Sequence, residues 1–211
     1  GGIPWKRLLS SHAVIAILAS NFAFHCGVYV VMNWLPTYFA EYLSVDLLTL
    51  GPVKMLPHLS MFFFSNIGGF CSDWLVGARG WTVRRSRKAV NALGLCLAAA
   101  SLVGMASAGG TFAGVAWSTA TLSALGLSRG GWSVNHMDIA PRFAGVVMAI
   151  ANAAGTLAGV LGVWVTGVVL ADAGGSKEPA GWAAAFGLVA SVCVGAAAFF
   201  AAFAQGEVLF T

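Results

Sequence analysis

Charge is what this sequence has least of. Asp, Glu, Lys and Arg together make up 9% of its 211 residues, while 59% are apolar and the mean hydropathy is +0.85. A water-soluble domain carries about 25% charged residues, so a soluble globular protein is excluded. Cysteine is sparse and scattered. Cys26, Cys71, Cys96 and Cys193 form no CxxC pair and no His/Cys cluster, which leaves no basis for a metal centre or a disulfide framework. Alternation of polar and apolar residues is also missing, and the apolar runs are too long for barrel strands. No nucleophile–base pair, metal cluster or phosphate-cradling glycine loop of the usual spacing is found, so no enzyme is expected and no cofactor. The chain opens on Gly1-Gly2-Ile3-Pro4-Trp5-Lys6-Arg7, without Met or a charged-then-apolar presequence. That opening reads as a loop inside a longer protein, with any targeting segment elsewhere.

What is present is a set of long apolar runs. A helix crossing the hydrocarbon core needs about 20 mostly apolar residues, and six stretches are read as such spans: 12-39, 52-75, 89-108, 111-136, 143-171 and 181-204. Gly109-Gly110 marks a tight turn between the third and fourth, Pro141 a break before the fifth, and Asp172 to Ala180 a polar loop before the sixth. The fold class expected is therefore an all-α membrane protein with six transmembrane helices. On the fifth span Ala151, Gly155 and Gly159 repeat at i+4, a spacing that lets helix backbones approach closely in lipid.

The few charges are unevenly placed. Lys6 and Arg7, then Arg79, Arg84, Arg85, Arg87 and Lys88, then Arg142 fall on one side of the alternating spans. The other side has Lys54 and Lys177 among Glu41, Asp46, Asp172 and Glu178. The excess of Lys and Arg puts the termini and the basic 76-88 loop on the cytosol-like side. The formal charge of +4 thus reads as an orienting signal rather than a nucleic-acid footprint.

Ionisable and amide side chains inside a span are costly and call for a partner or a purpose. Arg129, Trp132 and His136 share one helix face at i, i+3, i+7. An anion is a fitting partner for the guanidinium, which grips phosphate or carboxylate oxygens bidentately; a structural pair with a carboxylate elsewhere is the other reading. Asn21, His25 and Tyr29 form an i, i+4, i+8 stripe on the first span, suited either to lining an aqueous path or to an interhelical hydrogen-bond network. Lys54 and His58 open the second span, where Lys54 either meets substrate or snorkels to the interface. Further along, Gly68-Gly69 and Asp73 precede Arg79 and the basic run. That order is expected to form a charge-paired gating hinge built on Gly69, Asp73 and Arg79, with a plain solvated loop as the alternative.

The segment Ser128-Arg129-Gly130-Gly131-Trp132-Ser133-Val134-Asn135-His136-Met137-Asp138-Ile139-Ala140-Pro141-Arg142-Phe143-Ala144-Gly145 resembles the anion:cation symporter family of the major facilitator superfamily, which includes sialin, vesicular glutamate transporters and sodium–phosphate cotransporters. Asn33-Trp34-Leu35-Pro36-Thr37-Tyr38-Phe39, Ser65-Asn66-Ile67-Gly68-Gly69, Gly155-Thr156-Leu157-Ala158-Gly159 and Gly206-Glu207 fit it in the same order along nearly the whole chain. Phe24-His25 and Ser128-Arg129-Gly130-Gly131 look closest to the plant and algal plastid branch; animal vesicular members have Arg at the position of Phe24, and this sequence departs from them there.

The resemblance implies that these six helices are the C-terminal half of a twelve-helix fold, whose N-terminal half supplies the other wall of the cavity. It implies secondary active transport of an anion, most concretely inorganic phosphate, with sodium or a proton as coupling ion. The alternatives are an organic anion such as ascorbate or glutamate, or a non-transporting membrane receptor or scaffold. On this reading Arg129 and His136 bind the anion, with Asn135, His25, Asn21 and Tyr29 assisting. The implied partners are the anion, the bilayer and the missing half, not nucleic acid, and the implied location is a plastid envelope or thylakoid membrane.

Overall fold

A computed structural model describes residues 2–46 and 51–211. A short helix α1 (Trp5–Leu9) leads into α2 (His12–Thr37), and the others are α3 (Leu56–Gly77), α4 (Val83–Ala106), α5 (Thr111–Ile139), α6 (Ala144–Asp172) and α7 (Pro179–Phe203). Six long helices and no strand are thus found among the described residues. Pro36 lies inside α2 and removes one backbone donor; the helix then widens into a π turn at Tyr38–Tyr42, a known way of absorbing such a break. Pro57 and Pro179 sit in the first turns of α3 and α7, where their missing N–H is not needed. Gly80 has φ +65° in the turn from α3 to α4, a conformation that favours glycine.

The structure shifts one boundary in a way that matters. The third long helix begins at Val83 rather than near 89, so Arg84, Arg85, Arg87 and Lys88 lie on its first turns and not in a loop. Thr82 caps it, its hydroxyl accepting from the Arg85 N–H at 3.2 Å, which satisfies one of the free donors at a helix start. Four long segments, His12–Tyr42, Val83–Ala106, Pro141–Asp172 and Pro179–Phe203, are both long and apolar enough to cross a membrane. At 22 and 29 residues α3 and α5 have the length, but their apolar stretches fall short of the other four.

The helices pack in two rows. α3, α5, α2 and α6 stand side by side in that order; α4 and α7 pack behind, α4 against α5 and α7 against α2 and α4. Glycines set the closest approaches. A Cβ on Gly130 would collide with the Gly68 backbone, one on Gly68 with the Leu127 carbonyl, and one on Gly126 would come 2.6 Å from the Met61 carbonyl oxygen, so α3 and α5 touch backbone to backbone. Gly94 and Gly131 do the same for α4 and α5, through Ser128 and Arg87. The stripe on α6 faces α2: Gly155 lies against Asn21 and His25, and Gly159 against the Tyr29 ring. Away from the basic end, Tyr38, Trp182 and Phe186 form a buried aromatic cluster. Its polar tips are satisfied: Tyr38 Oη donates to the Met105 carbonyl at 2.7 Å and Trp182 Nε1 to Ser176 at 2.8 Å.

Candidate functional site

The segment Ser128 to Trp132 assigns a different neighbour to each successive side chain of α5. Gly130 meets α3, Gly131 meets α4, and Trp132 is buried against Phe24 of α2, with ring centroids 5.5 Å apart. At 100° per residue the remaining direction belongs to Arg129 and Ser133, opposite α4 and between α3 and α2. Arg129 is exposed there and borders a cleft of about 420 Å³ with Met61, Phe62, Ser65, Asn66 and Ser133. Its guanidinium carbon lies 5.6 Å from the Phe24 ring centroid, and it forms no ion pair among the described residues. A cation held by an aromatic face and flanked by hydroxyls and an amide is equipped to receive an anion.

Phe24 extends this site along α2. It stands edge-on to His25 at 5.1 Å, and His25 stacks on Tyr29 at 5.9 Å, so Arg129, Phe24, His25 and Tyr29 form a continuous row from α5 towards α6. His25 Nδ1 lies 3.0 Å from the Asn21 carbonyl oxygen. Tyr29 and Asn33 border a second hollow, of about 450 Å³, with Thr156 and Gly159 of α6. The three side chains of the stripe therefore lie in different surroundings. Tyr29 is exposed, His25 is half-buried, and Asn21 is fully buried against Gly155, with neither amide atom hydrogen-bonded among the described residues. Lys54 and His58 border a third hollow, of about 300 Å³, with Met32 and Pro36 near the end of α2.

The basic end is held by Arg87, which is only 8% exposed although it looks like one of a solvated cluster in the sequence. Its Nε donates to Asp138 at 2.9 Å, and its Nη1 to the Ser72 hydroxyl at 2.7 Å, to Asp73 at 3.3 Å and to the Gly130 carbonyl at 3.4 Å. One guanidinium thus ties α3, α4 and α5 together. Ser86 reinforces the joint by donating to the Ser72 carbonyl at 2.8 Å.

This arrangement corrects parts of the sequence reading. Asp73 is paired with Arg87, whereas Arg79 stacks over Trp74, 4.9 Å from the ring centroid. Gly69 borders the Arg129 cleft, yet a Cβ there would meet nothing within 4 Å, and the close helix contact belongs to Gly68. Asn135 faces away from the cleft: it is fully buried and donates to the Gln205 carbonyl at 2.7 Å and to Asp138 at 3.3 Å, docking the chain that follows α7. Its position was legible, since Gly131, Asn135 and Asp138 at i, i+4, i+7 share the α4-facing side of α5. His136 is half-buried, one turn beyond Ser133, and its Nδ1 has no partner among the described residues. No pattern singled out Arg87 from Arg84, Arg85 and Lys88; only the start of α4 at Val83 turns it inward.

Comparison with known proteins agrees with this architecture. The profile of the Major Facilitator Superfamily matches residues 2–163. Over 212 residues the chain is 41% identical to probable anion transporter 7 of Oryza sativa subsp. japonica, covering 99% of this chain and 48% of that protein. It is 36% identical to the chloroplastic ascorbate transporter of Arabidopsis thaliana over 168 residues, 80% of this chain and 31% of the relative. Over the same length it is 33% identical to the chloroplastic sodium-dependent phosphate transport protein 1 of Arabidopsis thaliana, 80% of this chain and 33% of that protein. The chain spans about half the length of the first of these. These relatives are transporters, not enzymes, and the profile match over most of the sequence, on two rows of long apolar helices, decides its family: the chain belongs to the Major Facilitator Superfamily, among the anion:cation symporter relatives its motifs resemble.

Proposed function

We propose that the protein containing this chain moves an anion across a membrane by alternating access, with Arg129 as the anion-binding cation. The observation that carries this reading is the exposed Arg129 guanidinium, on the α5 face opposite α4, with no carboxylate paired to it among the described residues. A charge near the middle of a span costs about 3 kcal/mol or more, and an anionic substrate in a hydrated cleft offsets that cost. The row of four helices forms one wall of the cavity, and a second half supplies the other. His25 and Tyr29 extend the binding face; Arg87 with Asp73 and Asp138 holds the cytosol-like end closed. Inorganic phosphate is the substrate we favour, with sodium or a proton as coupling ion, and a plastid membrane as the location. Support comes from the Arg129 cleft and from the names of chloroplastic relatives that transport phosphate or ascorbate. Phe62 and Met61 on the rim of the cleft favour an organic anion as the second reading.

In the full-length protein, Arg129→Ala is expected to abolish saturable uptake while leaving expression and membrane insertion intact. Uptake that survives the change would place the anion site elsewhere. Counterflow with phosphate, ascorbate and glutamate as trans substrates separates the two substrate readings, and failure of all three would favour a receptor or scaffold. The 211-residue chain reconstituted alone is expected to show no anion uptake, because it holds one wall of the cavity; measurable uptake would overturn the two-wall mechanism.

A further inference from the structure

The first turns of α4 form a second basic site, away from the Arg129 cleft and on the opposite row of helices. With Arg87 turned inward, Arg84, Arg85 and Lys88 remain outside and border a groove of about 470 Å³, together with Trp81, Thr82, Ala89 and Ala201 of α7. Arg85 lies 4.1 Å over the centroid of the Trp81 ring, and Lys88 Nζ donates to the Ala202 carbonyl at 3.2 Å. None of these three cations forms an ion pair among the described residues. That includes Glu207, although its neighbour Gly206 packs against the Arg84 backbone. The groove is therefore a concentration of positive charge without internal compensation, at the end of membrane-spanning helices.

What lies below the groove distinguishes between possible anions. Arg85, Ala89, Leu93 and Leu97 follow one another at i+4 on a single helix stripe, and Leu93 and Leu97 are 55% and 46% exposed. A row of cations and an indole at the top of an exposed leucine stripe has the chemical layout of a phospholipid, with phosphate at the interface and acyl chains along the helix. A free phosphate would use only the upper part. We propose that the groove between α4 and α7 binds the headgroup of an anionic phospholipid, with its acyl chains lying along Leu93 and Leu97.

The test uses the purified full-length protein in detergent, titrated with phosphatidylglycerol, phosphatidylcholine or inorganic phosphate, with bound lipid counted by native mass spectrometry. A cation near an anionic lipid surface contributes about a fivefold gain in affinity. Phosphatidylglycerol is therefore expected to bind at least about tenfold more tightly than phosphatidylcholine. The triple variant Arg84→Gln, Arg85→Gln, Lys88→Gln should lose that preference, whereas Arg142→Gln should keep it. Arg85→Gln alone, with an expected loss of about fivefold, reports on the site if the triple variant does not fold. Equal binding of the two lipids, or full retention of the preference in the variants, would overturn the proposal. So would displacement of the lipid by inorganic phosphate alone, which would mark the groove as a soluble-anion site.

Discussion

Replacing Arg87 by Met is expected to cost about 3–5 kcal/mol of stability, the range seen when one partner of a buried ion pair is removed. The loss comes mainly from what remains. Asp138 has a side chain only 19% exposed and would keep its charge without the 2.9 Å contact to Arg87, while the Ser72 hydroxyl and the Gly130 carbonyl would each lose a donor. Asp73 is 75% exposed, and an exposed pair contributes about 0–1 kcal/mol. Thermal unfolding of the full-length protein in detergent should therefore rank Arg87→Met as most damaging, Asp138→Asn next, and Asp73→Asn within about 1 kcal/mol of the parent. Arg87→Lys should rescue only in part, because an ammonium lacks the planar fork that reaches acceptors on two other helices, α3 and α5, at once. If Asp73→Asn proved as damaging as Arg87→Met, the assignment of the inner partner to Asp138 would be wrong. On the proposed gating role the same joint should loosen during transport, so the milder Asp73→Asn is the variant in which to look for altered uptake in a folded protein.

Gly130→Leu is expected to be damaging for a different reason. Any Cβ at this position runs into the carbonyl of Gly68 and the amide nitrogen of Gly69. These are backbone atoms of a helix and cannot turn aside as a side chain can. Overpacking in a rigid contact costs about 1–3 kcal/mol and occasionally more, and this contact belongs at the upper end because α3 must move away as a body. That movement would also draw Gly130 away from Arg87. Gly69→Ala is the matched comparison: its Cβ meets nothing within 4 Å, and alanine is favoured over glycine in a helix by about 1 kcal/mol. It should leave the unfolding temperature unchanged or raise it slightly. A destabilised Gly69→Ala beside a tolerated Gly130→Leu would show that α3 and α5 cross elsewhere.

Much of this protein was written along the chain. The scarcity of charge and the length of the apolar runs require helices in lipid, because a backbone without water must satisfy its own hydrogen bonds. The segment from Ser128 to Gly145 was enough to mark the family, and an arginine inside a long helix was enough to pick out Arg129 as a candidate. The sequence left open which of several similar residues does what. Gly68 and Gly69 are adjacent and identical in type, yet only one meets another helix; five basic residues lie between Arg79 and Lys88, yet only Arg87 is buried. Asn135 and His136 differ by 100° around α5, which sends one to the docked C-terminal segment and leaves the other near the uncovered face. Such choices depend on the rotation of each helix about its own axis against its neighbours. In lipid that rotation is set by close backbone packing, not by hydrophobicity. Periodicity along one helix determined which residues share a face, and only the tertiary structure decided what that face meets.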